Sequence, residues 1–374
     1  MKKHDDLLAK TLSNATEAKI NCLLRTNNLE SLKCTLANTN IKILGILPFI
    51  NAISVCGPKE EIKTLFLDKS VTFASSQTQV FTMINIAKQI IGTQALGSGQ
   101  NQTIAYIDTG ISPHLDFTLG KNRIIKFVDL INHRIFPYDD NGHGTFVAGV
   151  GSGSGIMSNG KYSGICPKSN IIAIKALDNG GEANSLKILE AMQWVYDYHK
   201  KYNIKVVCMS FGSEPLGEND PIMQGAEKLW EKNLVVVSAA GNSGPEYKTI
   251  KSPGISRKII TVGGFDDNRI DEQSFLPEYF EIADFSSRGP ALENFKPDLV
   301  APAVDITSCG ITSPYTKLSG TSVATPMVAG VSALLLEQNP ALTPFEIKKI
   351  LTENCEPITF NKNQEGSGYL TFKQ

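Results

Sequence analysis

Nowhere in the sequence do apolar residues run unbroken for the roughly 18 positions that a membrane-spanning helix needs. Nor does charge of either sign prevail: 36 Lys and Arg stand against 37 Asp and Glu, a formal net charge of −1. The first lack argues against a helical membrane anchor, and the second against nucleic acid or an anionic membrane surface as a partner. The seven cysteines, at 22, 34, 56, 166, 208, 309 and 355, are odd in number and scattered, with no C-x-x-C pair. That pattern argues against a disulfide framework or a zinc ribbon; runs such as KVVCMSF suit small buried hydrophobes. The first twenty residues, MKKHDDLLAKTLSNATEAKI, mix charges with short apolar pairs and lack the apolar centre of a secretory signal. The expectation is a reduced, cytoplasmic protein, with leaderless export left open.

At 374 residues the chain has room for one large domain and a small one. Residues 1–18 read as a tail. Residues 19–80 then alternate as strand (AKINCLLR), helix (NLESLKCTLANT), two strands joined through a proline (IKILGILPFINAISVCG), helix (PKEEIKTLFLDK, with Pro58 in its first turn) and strand (VTFASSQTQV). The order β-α-β-β-α-β is that of a split-βαβ, ferredoxin-like domain, and a general α+β interaction module fits the same pattern. Residues 81–374 form the second unit. There, apolar runs at 103–107, 171–177, 206–209, 234–240 and 259–262 alternate with helical segments such as NSLKILEAMQWVYDYHKKY. Strands that are apolar throughout imply a sheet covered on both faces. The expected fold is α/β: a doubly wound, mostly parallel sheet flanked by helices, preceded by the small α+β domain.

Polar residues fall at one edge of that sheet. Asp108 ends the first run in YIDTG, Ser210 ends another in CMSFG, and Asn242 follows a third in SAAGN. Doubly wound sheets place ligand sites just past the carboxyl ends of their strands. His143, in GHGTFVAGV, and Ser322, in GTSVATPMVAGVSALLLEQN, each stand at the start of a helix. Histidine is scarce, five in all, so one set between two glycines stands out: glycine lets another group approach the imidazole and lets the chain turn sharply. Taken singly each residue has a plainer reading: a turn cap for Asp108, a helix N-cap for Ser322, a loop signal for Asn242. Together an Asp, a His and a Ser point to nucleophilic acyl transfer, in which a base takes the hydroxyl proton and a carboxylate holds the imidazole tautomer.

The segments AYIDTGIS, DDNGHGTFVAG, VCMSFGS, VVVSAAGNSG, FSSRGP, KPDLVAP and LSGTSVATPMVAG resemble, in order, the signature segments of subtilisin-like serine proteases, over residues 103 to about 350. The resemblance implies a serine endopeptidase with Ser322 as nucleophile, His143 as general base and acid, Asp108 as its orienting carboxylate and Asn242 as oxyanion donor. It also implies that Ser210, Phe211 and Gly212 pair with an extended substrate, and that Ala239, Ala240 and Gly241 wall the pocket for the side chain preceding the cut bond. Lys251 falls at that pocket's floor. Pointing inward it would favour an acidic side chain, whereas with its stem along the wall it leaves an apolar or aromatic preference. The small domain resembles the family's propeptide, which inhibits the enzyme until self-cleavage, expected here between residues 74 and 86. The implied partners are protein or peptide substrates and the chain's own propeptide. No cofactor is required by this reading, and no metal ligand is assigned. Asp116 matches a calcium-ligand position of relatives, but GSGSGIMSNGKYSGICP lacks the remaining ligand pattern, so calcium stays unassigned. Phe146 stands where relatives often repeat a histidine, and Ala303 where a glycine is common. GIMSNGKY has phosphate-loop spacing, but Tyr162 replaces the Ser or Thr that meets magnesium. A non-catalytic pseudoprotease is the competing class; the α/β-hydrolase esterases have the wrong chain order.

Overall fold

The computed structural model describes His4, Leu8, Leu12 and residues 19–76, 79–82, 89–93, 96–268 and 276–372. β1 (Lys19–Thr26), α1 (Leu29–Ala37), β2 (Lys42–Leu47), β3 (Ala52–Pro58), α2 (Lys59–Leu65) and β4 (Val71–Ser76) build an N-terminal module. Its sheet has the order β2-β3-β1-β4, with β1 antiparallel to both β3 and β4. The Asn28 side chain caps α1 by accepting from Ser31 N at 3.0 Å. Pro58 lies one step outside the helix expected to contain it, as the N-cap of α2. The module's core is made by Cys22, Leu24, Leu32, Val55 and Ile62. Leu8 and Leu12, read from the sequence as part of a tail, are buried in that same core.

The second unit follows as β5 (Gln79–Thr82), β6 (Thr103–Asp108), β7 (Ile124–Asp129), α3 (His143–Ser152), β8 (Asn170–Lys175), β9 (Glu182–Asn184), α4 (Ser185–Tyr198), β10 (Ile204–Met209), β11 (Phe211–Gly212), α5 (Pro221–Glu231), β12 (Val235–Ala239), β13 (Ile260–Asp266), β14 (Glu281–Ile282), β15 (Leu299–Pro302), β16 (Ile306–Cys309), β17 (Tyr315–Leu318), α6 (Thr321–Gln338), α7 (Pro344–Glu353), β18 (Cys355–Glu356) and β19 (Tyr369–Leu370). The main sheet runs β18-β19-β15-β13-β12-β10-β6-β8-β7. From β19 to β7 every neighbouring pair is parallel. Every residue of β6 and β12 is buried, which is why those strands read as continuous apolar runs. On one face Ile104, Val206 and Val237 pack with Val323, Met327 and Val331 of α6. On the other, Ala105, Val207 and Val236 pack with Leu189 and Met192 of α4 and Ala226 of α5. α6 is apolar on all sides, as befits a helix buried from Thr321 to Leu336.

The N-terminal module rests on α4 and α5. The Phe49 ring centroid is 5.7 Å from that of Tyr196, and Phe49 N donates to Gln193 Oε1 at 3.1 Å. One expected element divides. VTFASSQTQV does not close the module as a single strand: β4 ends at Ser76, residues 77 and 78 lie outside the described residues, and β5 joins a different sheet. That sheet, β11-β5-β9, holds β5 antiparallel to both neighbours. No disulfide joins any of the seven cysteines among the described residues.

Candidate active site

β6 delivers Asp108 at its carboxyl end, and α3 begins with His143. His143 Nδ1 lies 2.7 Å from Asp108 Oδ1, an oxygen that also accepts from Thr109 N at 2.7 Å. A carboxylate facing Nδ1 fixes the proton there and leaves Nε2 as the acceptor. Nε2 stands 3.3 Å from Ser322 Oγ, at the start of α6. Both His143 and Asp108 are 2 % exposed, so these contacts act with little screening by water. The flanking glycines have physical work. Gly142 takes φ +104°, a left-handed value, and a Cβ on Gly144 would sit 2.2 Å from Gly110 O and 3.2 Å from the Asp108 Cβ. Any side chain at 144 would push the helix off the strand that carries Asp108.

Asn242 follows β12. Its Oδ1 accepts from Thr321 N at 2.9 Å and from Thr321 Oγ1 at 3.0 Å. With the carbonyl end so fixed, the Nδ2 amide remains to meet an acceptor beside Ser322. Ser322 N lies in the first turn of α6, where N–H groups lack the i−4 acceptor of the helix interior and the helix's partial positive charge sits. The geometry therefore offers a nucleophile, a base with a defined tautomer, and two donors for a developing negative oxygen.

A carboxylate not singled out by the sequence holds these parts together. Asp139 Oδ1 accepts from Thr109 Oγ1 (2.9 Å), Asn141 N (3.2 Å) and Gly142 N (2.9 Å), and its Oδ2 from Thr145 N (2.8 Å) and Thr145 Oγ1 (2.7 Å). Thr109 Oγ1 in turn accepts from Gly144 N at 2.9 Å. The residue after Asp108 is thereby clamped to the residues on either side of His143. Lys175, fully buried, adds a second tie by donating to Thr109 O at 2.6 Å and Asp140 Oδ1 at 2.7 Å.

Ser210, Phe211 and Gly212 lie beside β5: Phe211 pairs with Thr82 and Gly212 with Phe81, while Gln79, Val80 and Phe81 pair with Asn184, Ala183 and Glu182 across the other side. Ala239, Ala240 and Gly241 lead from β12 to Asn242, Ala239 and Ala240 being fully buried. Lys251 N donates to Ala240 O at 2.8 Å, and the Lys251 side chain runs past Gly241 to pair with Glu214.

Asp116 matches a calcium-ligand position of relatives. Its Oδ1 accepts from Met157 N at 3.1 Å, and its Oδ2 from Gly155 N at 3.0 Å and Tyr315 Oη at 2.8 Å. Calcium takes six to eight oxygen ligands, whereas this corner aims N–H and O–H donors at the one carboxylate, so the residues do not fit that ion. His114 and Cys309 each bring a ligand atom into a group with Asp116 spanning 4.8 Å. Yet His114 Nδ1 already accepts from Asp116 N at 3.1 Å and Nε2 lies 2.8 Å from Pro314 O. Burial, reinforced by Asp116, pushes the Cys309 thiol well above its ordinary range. The cluster is a packed hydrogen-bonded corner.

Residues 99–369 match the subtilase family. The chain is 38% identical over 317 residues to "Serine protease AprX" of Bacillus subtilis (strain 168), covering 79% of this chain and 70% of that one. To "Subtilisin DY" of Bacillus licheniformis it is 32% identical, covering 70% of this chain and 86% of that one. Among solved structures, "S41 Psychrophilic Protease" superposes with a TM-score of 0.65 at 28% identity, over 74% of this chain and 93% of that one. "Sphericase" superposes with a TM-score of 0.62 at 25% identity, over 77% and 94%. The chain belongs to the subtilase family, and it is a serine endopeptidase.

Proposed function

We propose that the chain is a self-processing precursor in which Ser322, His143, Asp108 and Asn242 cut a peptide bond of their own chain, after which the N-terminal module remains as inhibitor. Ser322 Oγ attacks the carbonyl carbon while His143 Nε2 takes its proton, and Asp108 stabilises the imidazolium through Nδ1–H. Asn242 Nδ2 and Ser322 N receive the carbonyl oxygen as it becomes negative. The intermediate collapses to an acyl-enzyme as His143 returns the proton to the leaving amine; water, deprotonated by the same imidazole, then releases the acid. No step needs a metal or an organic cofactor.

One observation carries the reading. The chain's own Gln79–Thr82 lies as an extended strand between β9 and β11, the edge at which Ser210, Phe211 and Gly212 would hold a substrate. In an antiparallel pair each step forward on β5 is a step back on β11, so the register that sets Thr82 against Phe211 directs the chain toward Ser210. The scissile bond accordingly falls between residues 82 and 86, inside the 74–86 stretch read from the sequence; residues 77–78 and 83–88 of that region lie outside the described residues. Protein and peptide substrates enter the same edge once the module leaves. Intact-mass measurement tests this. The purified protein should have lost its first 82 to 85 residues, while Ser322→Ala should keep its full mass and take no serine-directed fluorophosphonate. A fully active enzyme that still begins at Met1 would refute self-processing, and hydrolysis of casein by Ser322→Ala at the native rate would refute the mechanism.

A further inference from the structure

Two segments meet beside Ala239, Ala240 and Gly241, the residues expected to wall the pocket for the side chain preceding the cut bond. One continues β11 through Ser213 and Glu214; the other carries Lys251 and Ser252. They are joined as neighbouring backbone, Ser213 N donating to Ser252 O and Ser252 N to Ser213 O, both at 2.9 Å. Buried Asp220 pins both: its Oδ1 accepts from Ser252 Oγ at 2.7 Å and its Oδ2 from Leu216 N at 2.9 Å. Lys251 N is held by Ala240 O, and a Cβ on Gly241 would come within 2.6 Å of the Lys251 Cγ, so the lysine stem lies flat against the wall. Its ammonium ends on the Glu214 carboxylate.

The halves of this pair are unequal. The Lys251 side chain is 17% exposed and that of Glu214 is 72% exposed. Lysine is thus the fixed, protein-facing member, and glutamate the one that reaches in from solvent. Among the described residues no other acid lies within ion-pair distance of Lys251. With the pair formed, the pocket presents a neutral wall of alanines, glycine and methylene stem. Taking Glu214 away leaves a positioned, mostly buried ammonium beside Gly241 without its counter-ion, and such a cation gains from any carboxylate brought to it. The chain's own cleavage region agrees with a neutral pocket, since residues 71–86 contain no Asp or Glu.

We propose that Glu214 is a specificity-determining residue: by occupying Lys251 it keeps acidic side chains out of the position preceding the cut bond and leaves that pocket to apolar ones. The inference rests on the function proposed above. It is tested on active enzyme matured from the full chain, with two peptides that differ only in carrying Leu or Glu before the scissile bond. Wild type should strongly favour Leu. Glu214→Gln should raise the Glu-to-Leu ratio of kcat/KM by about tenfold, a gain of 1.4 kcal/mol, and high salt should erode that gain. Glu214→Gln combined with Lys251→Met should return the ratio to the wild-type value; Glu214→Ala gives the first arm again with a different side chain. A ratio that Glu214→Gln leaves within about twofold of wild type, or a gain that survives loss of Lys251, overturns the proposal. If instead no variant or wild type cleaves either peptide through Ser322, it is the function itself that fails.

Discussion

Asp139→Asn is the substitution that most directly asks whether the active-site clamp matters. The carboxylate is 8 % exposed and accepts the five hydrogen bonds described above, three of them from backbone N–H groups. An asparagine keeps one oxygen and turns the other position into a donor. Placed at Oδ2, the amide nitrogen faces Thr145 N; placed at Oδ1, it faces Asn141 N and Gly142 N. The lesser harm orphans one buried N–H, at about 1–3 kcal/mol, and weakens the remaining charge-assisted bonds by some tenths each. A total near 3 kcal/mol follows. With an unfolding entropy of about 2.1 cal/mol/K per residue, 374 residues give roughly 0.8 kcal/mol/K and a Tm lower by about 4 °C.

Turnover should suffer more than stability, because the bond lost holds Thr145, two residues past His143, to the carboxylate that also holds Thr109 and Gly142. A misplacement near 1 Å costs on the order of 10²-fold in rate, so kcat should fall tenfold to a hundredfold. KM should change little, since Asp139 touches neither β9 nor β11. Tm is read in a Ser322→Ala background, where self-digestion cannot intrude, and kcat on a chromogenic peptide. An Asp139→Asn enzyme with kcat within about twofold of wild type would show that the clamp does not position the triad.

Asp298 bridges two lysines, with Lys296 Nζ at 2.6 Å from Oδ2 and Lys348 Nζ at 2.8 Å from Oδ1. Burial works to raise its pKa, but the two ammonium groups outweigh it and hold it below the ordinary carboxylate value. Its stabilisation is therefore complete above that ordinary value and is lost as pH falls through the lower folded one. Asp298→Asn should cost about 3–5 kcal/mol at neutral pH and flatten the acid limb of a Tm-against-pH curve; an unchanged acid limb would count against the pair. At the Asp116 corner, calcium should shift the Tm of Ser322→Ala equally with and without Asp116→Asn, whereas a calcium response that disappears with Asp116→Asn would mean the ion binds there. Phe49→Ala should loosen the module by about 2 kcal/mol or more, raising the fraction of freshly matured enzyme that a fluorophosphonate can titrate; the same fraction as wild type would place the module's grip elsewhere.

Much of this was legible in the sequence for a physical reason. β6, β10 and β12 are buried on both faces almost throughout, so they read as mostly apolar runs, and the polar residue at or just past the end of each marks the carboxyl edge. β7 escaped notice because it is an edge strand with alternating exposure, and its IIKFVD carries a lysine and an aspartate. β15 is four residues long and ends in proline. β5 shows in the sequence only as the end of β4: its β-rich residues suit that strand as well as a new sheet, and only the distant Phe211–Gly212 edge decides between them. The same holds for the Lys251–Glu214 pair, 37 positions apart, and for Cys309 against Asp116, 193 apart.

The least legible residues share one chemistry. Asp129, Asp139 and Asp220 all lie in or beside loops near the sheet's carboxyl edge, where a single sequence reads aspartate as a solvated turn. Each instead turns inward and accepts backbone N–H groups: Ile131, Asn132 and Arg134 on Asp129, Asn141, Gly142 and Thr145 on Asp139, Leu216 and Met223 on Asp220. A loop has few apolar contacts to fix it, and its buried donors must find acceptors. One carboxyl group, with two acceptor oxygens, satisfies two or three at once. The loops carrying His143 and Ser252 are thus held in shape by buried carboxylates, and so is the exposed loop at 131–138. Asp108, His143 and Ser322, by contrast, sit at strand and helix ends, where the apolar runs around them make them stand out, whereas the loop aspartates have no such pattern beside them.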